Sequence, residues 1–368
     1  MTDDLYTADA LAALLDGEPA YRARQVQAWL ARGIDDPSAM TDIPRSLRER
    51  LAACLPPSPR IVGTSEADGG LTRKVLLEYP DGEAVESVLM LYPGVRRARA
   101  TVCVSTQAGC AMGCPFCATG QAGFRRQLTM GEIVRQVTVM QRWLQDGTIG
   151  IPEVPDHVTN VVFMGMGEPL ANVGPTIGAV RWLHDVFGLS ARAITVSTVG
   201  LVPGIRRLVQ LDLPITLAVS LHAPDDALRN DLVPPNRQHP LAELMACCQE
   251  WLALTARRLT FEYVLIDGVN AAPQQALALA RLVAPLAPHV NLIPMNPTPA
   301  VPWRAPPVRA QQAFASVLER HGVAVTIRHN RGVEIDAACG QLYANYALGS
   351  GRTLPSAHGA AGRLAARS

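Results

Sequence analysis

Three cysteines, Cys110, Cys114 and Cys117, crowd into the stretch GCAMGCPFCATG with the spacing C-x3-C-x2-C. Thiolates are soft ligands that select zinc, copper(I) or iron–sulfur clusters. A structural zinc site wants four closed ligands, and no fourth cysteine or histidine lies close by in sequence. A 4Fe–4S cube normally takes four cysteines, so three leave one iron open to a substrate or cofactor. Spacing and location favour the cluster over zinc or inert core cysteines. The other five cysteines are scattered, and by composition alone each reads as a small buried apolar residue.

Composition limits what else the chain can do. At 368 residues and 48% hydrophobic content it can bury a substantial core. Acids stand in Met1–Leu15 where an export signal would carry positive charge, and no apolar run reaches the ~18 residues of a membrane span. The expectation is a cytoplasmic protein with no membrane partner, in a reducing compartment where bunched thiols signal metal or catalytic chemistry rather than disulfides. Lys74 is the only lysine, which excludes a P-loop and leaves a Schiff-base mechanism one candidate. The net charge of +1 counts mildly against a nucleic-acid partner. Positive charge is local, in Arg96, Arg97 and Arg99, Arg125 and Arg126, Arg206 and Arg207, and Arg257 and Arg258, each group reading singly as solvated surface.

The elements that must position these groups follow from periodicity. YRARQVQAWL and SLRERLAACL carry apolar residues at helical spacing, and Pro56, Pro57 and Pro59 mark a boundary after them. LTRKVLLEYPDGEAVESVLML, 71–91, reads as two strands around a Pro-Asp-Gly turn. Beyond Ala100, apolar strands at 100–105, 159–164, 193–198, 215–220, 259–266, 290–294 and 323–328 alternate with helical stretches. One helix is signalled by a Thr129/Glu132 capping box, with Ile133, Val137, Met140 and Leu144 on one face. Such alternation predicts an α/β fold with a parallel sheet, best a partial (β/α) barrel, with a doubly wound sheet second. The expected division is a helical accessory domain over 1–58, a β-hairpin linker over 59–98, a core over 99–345 and a disordered tail over 346–368.

The cysteine spacing, with Phe116 before the last cysteine, resembles the signature of the radical S-adenosylmethionine superfamily. CVSTQAGCAMGCPFCATGQAGFRRQLTMGEIV, VVFMGMGEPLAN, VSTVGLVPGI, AVSLHAP, NLIPMNP and IDAACGQL together resemble, more narrowly, the RlmN/Cfr family of RNA adenine methyltransferases. The resemblance runs from about Tyr21 to Leu342 with the motifs in family order. It implies a 4Fe–4S cluster on Cys110, Cys114 and Cys117, and S-adenosylmethionine contacts from Gly167, Glu168, Ser197, Ser220, Leu221, His222 and Asn296. Taken singly, those residues also read as turn or capping positions. It further implies that Cys339 becomes S-methylated, that Cys103 later forms a transient disulfide with it, and that Glu86 is the general base. Glu86 has a plainer reading as an outward-facing residue on a hairpin strand. Cys54, Cys247 and Cys248 match no such role.

The implied reaction uses two S-adenosylmethionine molecules per turnover. One methylates Cys339 by displacement; the second is cleaved, with an electron from an external donor, to a 5′-deoxyadenosyl radical that activates the thioether methyl for attack on an adenine ring carbon. The expected substrate is C2 of an adenine in 23S ribosomal RNA, with tRNA a further candidate, and the expected state is a monomer. Alternatives are methylation at C8, as in the Cfr branch, and a non-catalytic RNA-binding protein stabilised by zinc. The N-terminal helices and the arginines near RHNRG, 328–332, are the expected phosphate contacts.

Overall fold

The structure, a computed structural model, describes residues 5–328 and 331–342. The expected disordered tail, 346–368, lies outside the described residues, as do His329 and Asn330 of RHNRG. The strands are β1 (Arg60–Ala67), β2 (Thr72–Glu78), β3 (Ala84–Tyr92), β4 (Arg99–Cys103), β5 (Gln107–Gly109), β6 (Phe124–Gln127), β7 (Asn160–Phe163), β8 (Ile194–Thr198), β9 (Thr216–Ser220), β10 (Leu259–Leu265), β11 (His289–Pro294) and β12 (Ala324–Ile327).

Ten of them form one sheet in the order β1-β2-β3-β4-β7-β8-β9-β10-β11-β12, and β5 pairs with β6 apart from it. From β4 to β12 every pairing is parallel and follows chain order. A doubly wound sheet would reverse its order at a switch point. This one does not, and β12 does not pair back to β4, so the architecture is a partial (β/α) barrel.

The register sorts side chains onto two faces. Val102, Val161, Phe163, Val196, Leu217, Val219, Phe261, Val290 and Leu292 point to one side and are buried in the main apolar cluster with residues of the flanking helices. Among those helices is Met130–Gln145, opened by the Thr129/Glu132 capping box, which buries Ile133, Val137, Met140 and Leu144. The opposite, concave face carries Cys103, Ser197, Ser220, Glu262, Asn291 and Thr326. Period-two alternation thus separates packing from chemistry across the barrel.

The antiparallel part of the sheet is larger than the sequence suggests. β1 pairs with β2 around a register shift between Ile61 and Gly63, and this bulged, mostly exposed edge lacks the alternation that would reveal it. β3 pairs with β4, so these strands continue the barrel sheet directly. The N-terminal helices are Ala8–Leu14, Tyr21–Ala31 and Arg45–Cys54; their Leu11, Val26, Leu30, Leu47 and Leu51 join the main apolar cluster. Buried Arg135 donates to the carbonyls of Pro56 and Pro57, each at 2.8 Å, and so pins the boundary prolines to the barrel.

Candidate active site

The cysteine loop leaves β5 and ends at the short helix Ala118–Ala122. Its backbone closes on itself through Cys110 N–H to Gly123 O at 3.0 Å and Cys117 N–H to Cys114 O at 3.2 Å. Cys110 and Cys114 are buried and Cys117 half-buried. Burial first, and then the charge of Cys117, pushes the Cys110 thiol up to about 12 and raises the Cys114 thiol as well. Thiols buried in this way are suited to a cationic partner, because bound iron takes the place of the proton. Among the described residues no three His, Cys, Asp or Glu side chains converge on one point as a single ion would require. A cube takes one thiolate per iron, and three thiols on one loop are a donor set that fits a cluster with three protein ligands.

The strand ends beside this loop carry the other predicted residues. Gly167 has φ +97°, and a Cβ there would lie 2.6 Å from Gln107 Cβ; at Gly165 it would lie 2.7 Å from Val104 O. Both glycines of GMGEP therefore let the end of β7 pass close against the chain leaving β4. That approach buries Glu168, which is not the surface acid of the plainer reading. Its carboxylate accepts from Val199 N–H at 2.8 Å and Leu170 N–H at 3.1 Å, and burial raises it to about 7 despite those donors. Ser197 donates to Phe163 O at 2.6 Å, tying β8 to β7.

Ser220, Leu221 and His222 leave β9 together. Leu221 N–H donates to Glu262 O at 3.0 Å. His222 is buried with φ +61°; its Nδ1 accepts from Val264 N–H at 3.0 Å, which puts the ring proton on Nε2, and its ring meets Phe116 of the cysteine loop edge-on. Burial, then Arg229, holds the imidazole down to about 3. The histidine is a neutral strut between the ends of β9 and β10 and the cysteine loop.

Cys339 arrives from the far end of the chain. The segment 331–342 is held where Arg331 donates to Leu91 O and Gly332 N–H to Asp68. Further along, Lys74 Nζ reaches Asp336 O at 3.4 Å and Ala118 N–H donates to Gly340 O at 2.7 Å. Asn296 Nδ2 holds Cys339 O itself at 3.0 Å. Cys339 is exposed; the protein around its sulfur, followed by the charges of Cys117 and Glu262, pushes its thiol up. Cys103, at the end of β4, is buried and pushed up to about 12, first by burial and then by Cys339. All cysteines in the described residues are free thiols.

Glu86 is buried, contrary to the outward-facing alternative. Its carboxylate pairs with Lys74 Nζ at 2.8 Å, with side-chain exposures of only 4% and 9%. Lys74, Val88 and Cys103 form one cross-strand row, and Glu86 lies next to it on the same face. The lone lysine is thus the partner of the predicted base.

Residues not foreseen complete the concave face. Glu262 is buried, accepts from Asn291 Nδ2 at 2.7 Å, and is raised by burial. Arg328, expected to meet phosphate, stands near enough to Glu262, Cys103 and Cys339 to act on the charge of each. Of the local arginine groups read as solvated surface, Arg126 is engaged by Asp81 and Glu132 and Arg206 by Glu250. An acid at the centre of the otherwise apolar LTFEYVLI was the available signal for Glu262.

Known proteins resemble this chain in sequence and fold. The profile of the Radical SAM superfamily matches residues 104–280, and that of the ribosomal RNA large subunit methyltransferase N-terminal domain matches residues 8–55. A relative from Parafrankia sp., described as a probable dual-specificity RNA methyltransferase RlmN, is 51% identical over 89% of this chain and 87% of its own. One of the same description from Chloroflexus aurantiacus is 50% identical over 90% and 89%. The crystal structure of a radical SAM methyltransferase from Sphaerobacter thermophilus superposes with a TM-score of 0.85 at 48% identity, covering 93% of this chain and 99% of that one. No described helix is long and apolar enough to cross a membrane. With a three-thiol loop on a partial barrel and half its residues shared over nearly its whole length, the chain belongs to the RlmN family of radical S-adenosylmethionine RNA methyltransferases.

Proposed function

We propose that this enzyme methylates C2 of an adenine in 23S ribosomal RNA, and in tRNA, by way of a methyl group carried on Cys339. The observation that carries the reading is the tethering of Cys339 against the cysteine loop, through Asn296 and the Gly340–Ala118 bond, near enough to Cys103 to act on its thiol. An adenine ring carbon is a poor nucleophile, so direct attack on a methylsulfonium is unpromising. Cys110, Cys114 and Cys117 would hold the 4Fe–4S cluster, and Gly167, Glu168, Ser197, the 220–222 turn and Asn296 would bind S-adenosylmethionine, two molecules of which are used per turnover. Together these groups supply, when bound, an activated methyl group and a carbon-centred oxidant fed by an external one-electron donor.

The chain's own residues do the rest. Cys339 sulfur accepts the methyl carbon, and its thioether carbon, after losing a hydrogen atom, bonds to adenine. Lys74 keeps a cation against Glu86, favouring the carboxylate that must take the C2 proton. Cys103 sulfur then displaces the carbon from Cys339 while that carbon takes up a proton to become methyl, one electron passes from the adduct back to the one-electron partner, and a Cys103–Cys339 disulfide is left for cellular thiols to reduce. The need for reduced thiols and for RNA supports a cytoplasmic setting, and the reading requires only a single chain.

Two variants test the relay. Cys339→Ala should yield neither methylated enzyme nor methylated RNA. Cys103→Ala should retain its iron and stall with RNA covalently attached through Cys339, seen as a protein–RNA adduct by denaturing electrophoresis and mass spectrometry. Normal turnover by iron-replete Cys103→Ala, or methylation by Cys339→Ala, would refute it. Mass spectrometry of the methylated RNA fragment separates C2 from the C8 product of the Cfr branch, and a C8 product would overturn the regiochemistry.

A further inference from the structure

Arg229 lies in the helix Asp226–Leu232 with none of its surface exposed. Its guanidinium donates to Leu221 O at 3.0 Å, Asn236 Oδ1 at 2.6 Å, Val199 O at 2.6 Å and Ser220 O at 3.1 Å. All four acceptors are uncharged, and none of the ion pairs among the described residues includes it. The nearest acid acting on it, Asp226, is one step removed: its carboxylate accepts from Asn236 Nδ2 at 2.9 Å and Leu241 N–H at 2.8 Å. A fully buried cation without an adjacent anion is costly, and native proteins retain such charges where a ligand or cofactor supplies the opposite sign.

The surroundings indicate where that anion belongs. Cys114 packs in one apolar cluster with Ala223, Leu232 and Val233, residues that bracket Arg229 in sequence. A Cβ on Gly113 would meet Pro234 at 3.9 Å, so the cysteine loop rests on the 223–236 segment. The guanidinium's hydrogen bonds go to the chain just beyond β8 and β9, where Val199, Ser220 and Leu221 border the predicted cofactor pocket.

We propose that Arg229 is the built-in counter-charge of the iron–sulfur site, a fixed cation beside Cys114 that favours the reduced, more negative cluster and so raises its reduction potential. The inference rests on the proposed cluster at Cys110, Cys114 and Cys117. The step concerned is a single electron entering from a low-potential reductant, with no bond made or broken; a neighbouring positive charge stabilises the added negative one. Arg229 is thereby a positioning and tuning residue rather than one that touches the reacting atoms.

The test is an EPR-monitored titration with dithionite of the full-length, anaerobically reconstituted protein, without S-adenosylmethionine. Arg229→Gln should shift the midpoint potential downward, lowering the reduced-to-oxidised ratio at a fixed potential on the order of tenfold. Arg229→Lys, which keeps the charge, should recover most of that ratio. Asp226→Asn preserves an acceptor for Asn236 and Leu241 while removing a compensating charge, and should shift the potential upward. If Arg229→Gln fails to fold or to hold iron, the sign of the Asp226→Asn shift decides: an upward shift supports the proposal, and no shift or a downward one overturns it. Iron-replete Arg229→Gln with the wild-type potential also overturns it. Wild-type protein that binds no cluster would instead sink the parent reading before Arg229 is tested.

Discussion

Cys110, Cys114 and Cys117 share one loop whose backbone closes locally, whereas Cys339, Cys103, Glu86 and Lys74 come from four separate stretches of chain. The loop needs β5, β6 and a short helix to keep its shape. The second group needs the sheet register from β2 to β4, the segment 331–342 and the tether from Asn296. A chemical task held within one loop can be removed without disturbing the fold; one assembled across the molecule cannot be touched without cost to the assembly. That asymmetry is open to measurement at both ends.

The largest effect belongs to the loop. Replacing any one of Cys110, Cys114 and Cys117 by alanine should abolish 5′-deoxyadenosine production and iron retention together, because three ligands leave no redundancy. The same variants should unfold within a few degrees of wild-type apo-protein, since only a small side chain is lost from outside the main core. Chromatography of the reaction mixture, iron assay and circular dichroism on one sample decide it. Undiminished 5′-deoxyadenosine would end the cluster assignment, and a collapsed melting transition would end the contrast.

The distributed group should behave in the opposite way. Lys74→Met breaks the buried ion pair with Glu86, at a cost of about 3–5 kcal/mol in denaturant unfolding, and also loosens Asp336 at the root of the Cys339 segment. Converting both partners, Lys74→Met with Glu86→Leu, should recover most of that stability while leaving methylation of RNA lost. A double variant no more stable than the single one would show that the pair is not the energetic unit the geometry implies.

The same contrast explains what could be read in advance. Clustered cysteines are visible because function and sequence proximity coincide, and the strands β4 and β7 to β12 are visible because their outer faces must be apolar. The inner face hid its chemistry. In VESVLML the residues on both faces of β3 are almost all buried, so alternation could not tell whether Glu86 turned inward, and only its register against Lys74 across β2 settles the direction. Arg229 sits in a stretch that reads as an ordinary amphipathic turn of helix; its burial follows from three carbonyls supplied by the ends of other strands. β1 was missed because an exposed, bulged edge has neither period nor core to betray it. The motif resemblance named Cys339 and Cys103, which periodicity and composition would have left as unremarkable apolar positions.

Glu168 stands between the two regions, borne on a strand end yet buried against the loop's own support, and it yields the smallest and most graded effect. With its carboxyl raised to about 7 by burial, it is largely protonated at pH 6 and largely ionised by pH 7.5. A cationic amino group is attracted only to the ionised form, so S-adenosylmethionine affinity should rise with pH across that window, by about eightfold if the charged fraction governs binding. The rise should flatten as the ligand's own amino group begins to lose its proton near pH 8. Glu168→Gln cannot ionise, so its affinity should be weak and flat over the same range. Equilibrium dialysis of labelled S-adenosylmethionine against reconstituted enzyme gives both curves. A wild-type affinity that is level between pH 6 and 7.5, or that falls, would mean that the ligand's amino group is neutralised elsewhere and that Glu168 only braces the end of β8 through Val199.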